Sequence, residues 1–203
     1  WRLDTATGAC VPSSHDLQLP PRPADPDGDI PGVMRGAEVP APNGAVVATV
    51  RGHNLCLRDA DGEQQLTTDG GPGRSYGALS GTIWSGEVSW PATGNPWPLQ
   101  VLWSPDSHRF LALRVDNEAV GKMHLLEVTP GGRYDARPAL HSYPLAIPGD
   151  EVIPLSTLFV LDAATGTLTE VDIPPVPSHQ PVIQGGYARW SDDSSALYVA
   201  RLE

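Results

Sequence analysis

The sequence has few cysteines and few basic residues, and it lacks long apolar runs. Among 203 residues there are 2 Cys, and 13 Lys and Arg stand against 24 Asp and Glu, for a formal net charge of −11. Nucleic acids are bound by basic side chains that neutralise phosphates, so we expect no nucleic-acid partner. No stretch approaches the roughly 18 consecutive apolar residues of a membrane-spanning helix, so no membrane span is predicted.

Two cysteines are too few for a disulfide framework. Cys56 lies in an apolar strand pattern and is interpreted as a small buried apolar residue. A disulfide between Cys10 and Cys56 is the alternative.

Motifs for catalysis and cofactor binding are also missing. The closest approach to a Gly-x-Ser-x-Gly nucleophile turn is 77–81, where Ser80 stands one place late. The 6 histidines are scattered, and there is no phosphate-binding or dinucleotide-binding loop. We therefore assign no catalytic residue to this chain, expect no cofactor, and expect the chain alone to hydrolyse no peptide.

One acidic cluster has the spacing of a calcium loop. Asp27, Asp29 and Glu38 stand at its positions 1, 3 and 12. The flanking residues are rich in proline rather than helical, so a solvated acidic loop is favoured and calcium is the weaker alternative.

Glycine and proline are abundant, at 21 and 22 residues, and they mark a repeat. A Leu-x-x-x-x-Gly phrase, with Asp at the start of the turn, occurs at 3–8, 57–62 and 161–166, at intervals of about 50 and about 100 residues. A second turn phrase lies at 41–44, 103–107 and 190–194, each time before a short apolar run. Repeats of strands and turns with this period indicate β-propeller blades.

The predicted fold is all-β: a partial β-propeller of about three to four four-stranded antiparallel blades, from a larger propeller. The start at Trp1 and the end within a strand pattern suggest a fragment of a longer polypeptide. Open ends would expose apolar blade faces and unpaired strand edges, so we expect either self-association as a homo-oligomer or an open arc. We divide the chain into a strand and turn of a preceding blade (1–12), a Pro-rich connection (13–42), blade strands (43–70), a long loop plus blade (71–130), a loop plus blade (131–175) and the start of a further blade (176–203).

Four segments carry a family resemblance. They are His53–Asp59 with Gln65–Gly70, Leu102–Ser107 with Leu111–Asp116, Tyr143–Val152, and Leu158–Asp162 followed by Gly166. Their order and spacing resemble the N-terminal β-propeller domain of the dipeptidyl peptidase IV family, serine peptidases of the prolyl oligopeptidase group. The resemblance covers about four fifths of the chain.

The resemblance implies a non-catalytic propeller that restricts access to, and helps bind peptide for, a C-terminal α/β-hydrolase domain absent from this sequence. In the family, two adjacent glutamates before the Trp-Ser-Pro-Asp strand bind the amino terminus of the substrate. The matching stretch here, 84–89, contains one glutamate, Glu87. Glu87, with Trp84 as an aromatic wall, is the implied substrate-binding set, and the alternative is that Glu87 faces solvent and Trp84 packs a loop.

A second class of function stays open. A stand-alone propeller could bind a protein or carbohydrate partner through its loops and have no role in peptide hydrolysis. The sequence leaves the compartment open between periplasm and cytoplasm.

Overall fold

The fold is built from strands. The computed structural model describes residues 1–5, 7–12, 38–78, 99–130, 134, 137–178 and 180–201, and all sixteen regular elements in these ranges are strands. The all-β prediction is confirmed. The described residues contain no helix that could cross a membrane.

Three antiparallel sheets and one hairpin make up the architecture. The first sheet runs β3-β4-β5-β6: β3 Glu38–Pro40, β4 Val47–Arg51, β5 Asn54–Arg58 and β6 Glu63–Gln65. The central sheet contains β7 Arg74–Tyr76, β8 Val101–Trp103, β9 Arg109–Asp116, β12 Leu155–Asp162, β13 Leu168–Glu170 and β14 Val176–Pro177. The composite sheet runs β15-β16-β1-β2: β15 Ala188–Trp190, β16 Ala196–Val199, β1 Arg2–Asp4 and β2 Cys10–Val11.

The central sheet is four strands wide, although it has six pieces. β7 and β8 pair in succession with the same side of β9, and β13 and β14 pair in succession with β12. Between β9 and β12 the chain forms a separate hairpin, β10 Lys122–Glu127 with β11 Ala139–Pro144. Leu126, Val128 and Leu140 on this hairpin are exposed.

Both turn phrases lie where the sequence placed them, between strands. The phrase with Asp and Gly forms the turn that joins the third and fourth strands of each sheet. In two of these turns, Gly8 and Gly166 adopt positive φ angles of 74° and 70°. The second phrase joins the first and second strands of each sheet. There the hydrogen bonds Ala41 N to Val46 O, Ser104 N to Arg109 O and Ser191 N to Ala196 O each measure 2.8 Å. These equivalent bonds define one repeating blade.

The composite sheet joins both ends of the sequence. β1 pairs with β16 through Leu3 and Leu197, and β2 completes the sheet beside β1. The sequence division assigned 1–12 to a preceding blade and 176–203 to a further one. In the structure β15 and β16 of the second range share one sheet with β1 and β2 of the first, whereas β14 pairs with β12 in the central sheet. β3 lies within the range assigned to the Pro-rich connection, and its place at a sheet edge tolerates Pro40.

Two apolar clusters hold the sheets together. One joins the first sheet to the central sheet around Leu55, Tyr76 and Phe110, and the other joins the central sheet to the composite sheet around Leu111 and Leu197. Neither cluster joins the first sheet to the composite sheet. The three sheets therefore form an open arc.

A pair of hydrogen bonds recurs at both seams between sheets. The Trp103 indole donates to Val39 O, and the Trp190 indole donates to Leu102 O, each at 3.0 Å. Ser107 Oγ accepts from Asn43 N, and Ser194 Oγ accepts from Asp106 N, each at 3.1 Å. These residues occupy equivalent positions of successive blades.

The two outer faces of the arc carry charge, contrary to the expectation of exposed apolar faces. On the first sheet, Glu38 pairs with Arg58 and Glu63 with Arg51. On the composite sheet, Arg189, Tyr198 and Arg2 form one row across three strands. The equivalent row of the central sheet is Leu102, Leu111 and Val160, which packs in the core. Charged side chains let the outer faces meet water, as capping units do in repeat proteins.

We expect Trp190→Phe to lower the free energy of unfolding by about 1 kcal/mol, because the indole hydrogen bond to Leu102 O is lost while most of the apolar contact remains. Urea denaturation measures the change. Trp1→Phe is the matched control, since the Trp1 side chain is partly exposed and its indole joins no seam. Equal effects of the two substitutions would contradict the role of the indole.

Asp193 makes the stability of the fold depend on pH. The hydroxyls of Ser191 and Ser195, and the Ser195 N–H, donate to its carboxylate and lower the pKa of Asp193 to about 2. An unfolded Asp has a pKa of about 3.9, so this stabilisation is present above about pH 4 and is lost as pH falls toward 2. We expect Asp193→Asn to weaken the pH dependence of stability in that window. Urea denaturation at several pH values tests this, with the exposed Asp192→Asn as control.

Candidate functional site

The segment that contains the predicted substrate-binding residues leaves and rejoins the central sheet at one point. Gly77 N donates to Leu113 O at 2.7 Å, and Gln100 N donates to Gly77 O at 2.9 Å. Gly77 and Gln100, which precede and follow residues 79–98 in the sequence, are therefore held together at the edge of the sheet. Gly77 has φ of 60°, and a Cβ there would lie 2.3 Å from Leu99 Cδ1, so this position needs glycine.

Beside this point lies a cluster of Asp69, Tyr76 and Arg114, which we call the root cluster. Tyr76 OH donates to Asp69 Oδ1 at 2.9 Å, and Arg114 Nη1 donates to Asp69 Oδ2 at 2.8 Å and to Tyr76 OH at 3.2 Å. The Arg114 guanidinium lies 5.5 Å from the Tyr76 ring centroid and 5.1 Å from that of Phe159. Arg114 therefore combines an ion pair with two cation–π contacts.

The electrostatics of the root cluster act on the Tyr76 phenol. Burial, followed by the hydrogen bond to Asp69, raises the pKa of Tyr76 in spite of the opposing Arg114. The phenol therefore stays protonated at neutral pH and donates to the carboxylate. The cluster can therefore fix the geometry of the root through hydrogen bonds and an ion pair.

Asp69 is placed by a second network in the first sheet. Asn54 Oδ1 accepts from Gly70 N at 2.8 Å and from Thr67 Oγ1 at 3.1 Å, and Leu55 N donates to Thr67 Oγ1 at 3.0 Å. This network explains the Asn-Leu and Thr-x-Asp-Gly residues of the motif found in the sequence. The same motif brings the Asp69 carboxylate across the seam to Arg114 of the central sheet.

The sequence-predicted site residues are mostly outside the described part of the chain. Trp84 and Glu87 belong to 79–98, and Asp27 and Asp29 belong to 13–37. Glu38 is described: its carboxylate accepts two hydrogen bonds of 2.7 Å from Arg58. Within the described ranges, no group of three or more His, Cys, Asp or Glu side chains could hold a metal ion. Cys56 is buried as expected, and both cysteines are free thiols.

Two open grooves lie at the seams, and no motif in the sequence predicted either of them. One, of about 280 Å³, lies between the first and central sheets and is lined by carboxylates of Asp59, Asp61 and Glu63. The other, of about 250 Å³, lies between the central and composite sheets and is lined by Arg109, Asp162 and the threonines Thr5, Thr165, Thr167 and Thr169. Neither groove includes the root cluster.

An open arc of four-stranded antiparallel sheets, with repeated turns and repeated seam contacts, is the architecture of a β-propeller. Comparison with known families identifies the kind of propeller. Residues 37–203 match the family model described as the dipeptidyl peptidase IV (DPP IV) N-terminal region, and the chain belongs to this family. The resemblance found in the sequence is thereby confirmed.

Solved structures agree in fold. The crystal structure of Porphyromonas gingivalis dipeptidyl peptidase 4 superposes with a TM-score of 0.51 at 24% identity, over 68% of this chain and 18% of that one. A putative dipeptidyl aminopeptidase IV from Bacteroides ovatus gives 0.53 at 17% identity, over 80% of this chain and 19% of that one. The chain thus spans less than a fifth of either protein. No curated protein matches the sequence.

We expect Arg114→Met to lower the free energy of unfolding by about 2 kcal/mol, because Asp69 loses its ion pair and two rings lose their cation. Arg114→Lys should keep only part of this stability, since an ammonium cannot stack on the rings as a planar guanidinium does. The control is Arg74→Met, whose contact with Asp116 is longer, at 3.3 Å, and more exposed. An Arg74 effect as large as that of Arg114 in urea denaturation would contradict this assignment.

Proposed function

We propose that this chain is the non-catalytic propeller region of a dipeptidyl peptidase IV-like serine peptidase. In this role it restricts access to a hydrolase domain and helps bind the peptide substrate. Family membership over 37–203 is the observation that carries the proposal. The partners are a peptide, an α/β-hydrolase domain of the same parent chain and, as a separate proposal, a second copy of the chain.

Substrate contact is proposed at Glu87 and Trp84. The support is the family membership together with the described residues on either side of 79–98, since Gly77 and Gln100 are hydrogen-bonded to each other beside the root cluster. A carboxylate at Glu87 would pair with the ammonium of a free peptide amino terminus, and Trp84 would contact the adjacent side chain.

The chain itself has no proposed catalytic step. Peptide hydrolysis by a serine needs a nucleophile, a base and an oxyanion hole together. In the proposed parent these belong to the hydrolase domain. The propeller contributes binding energy and orientation at the amino terminus of the peptide.

A stand-alone binding module is the alternative function. The groove lined by Arg109, Asp162 and threonines favours this alternative. These side chains can donate hydrogen bonds to the hydroxyls of a carbohydrate and accept hydrogen bonds from them. A Gly-x-Ser-x-Gly turn followed by Asp and His in the parent gene would support the peptidase role, and carbohydrate binding abolished by Arg109→Ala would support the module.

The peptidase proposal predicts a difference between peptides with free and with acetylated amino termini. We expect Glu87→Gln to weaken binding of the free peptide about tenfold, because the charged pair with the ammonium becomes a hydrogen bond from the ammonium to a neutral amide oxygen, and to leave the acetylated peptide almost unchanged. Isothermal titration calorimetry with a proline-containing tripeptide measures both. Glu151→Gln, at an exposed carboxylate elsewhere in the chain, is the control. Equal weakening of binding for both peptides would contradict a contact between Glu87 and the peptide amino terminus, and would support the interpretation that Glu87 faces solvent.

A further inference from the structure

The turn that joins the first two strands of the first sheet carries an asparagine followed by a glycine, Asn43 and Gly44. Both residues are exposed. An asparagine amide in such a pair can react with its own main chain, because the glycine has no side chain that would hinder the approach of its nitrogen. The three other asparagines of the sequence precede leucine, proline and glutamate. Asn43 therefore has the least hindered neighbour.

Two hydrogen bonds orient this pair. Ala45 N donates to Asn43 Oδ1 at 2.9 Å, which polarises the amide carbonyl and holds it against the main chain of the turn. Gly44 N donates to Ala41 O at 2.8 Å and has to leave this acceptor before it can react. A Cβ placed on Gly44 would meet nothing within 4 Å, so no packed side chain opposes local opening of the turn at this residue.

We propose that Asn43 is a site of spontaneous modification, at which the amide is lost and the first seam is altered. The Gly44 nitrogen gives its proton to solvent and bonds to Cγ of Asn43, while the bond from Cγ to the amide nitrogen breaks and ammonia leaves with a proton. Water then opens the cyclic imide. Cleavage between Cγ and the Gly44 nitrogen gives aspartate, and cleavage between the main-chain carbonyl and that nitrogen gives isoaspartate. Nothing is oxidised or reduced, and the inference is independent of the proposed peptide-binding function.

Aspartate at position 43 fits the blade repeat. The equivalent residues of the other two turns are Asp106 and Asp193, and Asp106 N donates to Ser194 Oγ as Asn43 N donates to Ser107 Oγ. In each of the three turns the side-chain oxygen also accepts from the main-chain N two residues later, at 2.9, 3.0 and 3.1 Å. These contacts use the oxygen and not the amide nitrogen. Conversion to aspartate therefore keeps the seam.

Isoaspartate at position 43 does not fit. It routes the main chain through the side-chain carbon, so the turn becomes one carbon longer. The bonds from Ala41 N to Val46 O and from Gly44 N to Ala41 O, both 2.8 Å, belong to a turn of fixed length. A longer turn displaces Asn43 N from Ser107 Oγ, and the first seam loses one of its directional bonds. We therefore expect isoaspartate, and not aspartate, to weaken the packing of the first sheet on the central sheet.

The modification is tested on the full chain, aged in mildly alkaline buffer and sampled over time. Trypsin releases the peptide 36–51, in which Asn43 is the only asparagine or glutamine. Mass spectrometry of this peptide measures the conversion of the amide, and fragmentation distinguishes aspartate from isoaspartate. We expect conversion to be several-fold faster than at Asn117, since the side chain of Glu118 hinders attack there. Equal rates at the two asparagines would contradict the proposal.

The effect on the seam is measured by urea denaturation of the modified chains, which anion exchange separates through their added negative charge. We expect an aspartate fraction that unfolds as fresh Asn43→Asp does, and an isoaspartate fraction whose equilibrium constant for folding is about fivefold lower, the loss of one hydrogen bond. Asn43→Ser is the matched control, because its hydroxyl can accept from Ala45 N but cannot form the imide, so ageing should leave its stability unchanged. Isoaspartate chains as stable as fresh Asn43→Asp, or an equal loss of stability in aged Asn43→Ser, would overturn the proposal.

Discussion

The seam between neighbouring sheets is the contact on which the arc depends. Apolar burial drives two sheets together but does not fix their stagger, because the hydrophobic effect has no direction. The indole and the turn serine supply the direction: Trp103 and Trp190 each reach the first strand of the preceding sheet, and Ser107 and Ser194 each accept from the preceding turn. Two directional bonds per seam set one relative position of the sheets.

The root cluster is a product of the first seam. Asp69 comes from the turn after the first sheet, whereas Tyr76 and Arg114 come from the central sheet. The distances from Asp69 to Tyr76 and Arg114 exist only when the seam is closed. Gly77, which follows Tyr76 of this cluster, is hydrogen-bonded to Leu113 and Gln100. The packing of the two sheets thus fixes the surroundings of this point of the central sheet.

Local features of the fold were predictable from the sequence, and distant ones were not. The turns at Gly8, Gly44 and Gly166 follow from residues that tolerate positive φ, so the strand pattern around them could be derived. Pairing of β1 with β16 has no local signal, because it joins residues nearly two hundred positions apart. The interruption of the central sheet's first strand between β7 and β8 is also invisible, since each piece is only three residues long. No motif in the sequence marked Arg114 as a residue that links two sheets. This role is visible only in the structure, from its ion pair with Asp69 and its contacts with the rings of Tyr76 and Phe159.

Charge at the outer faces limits how the arc can associate. The first sheet carries ion pairs on its outer face, and the composite sheet carries the row of Arg189, Tyr198 and Arg2. Packing either face against another protein would remove water from these charges. Such desolvation is costly unless new partners replace the water.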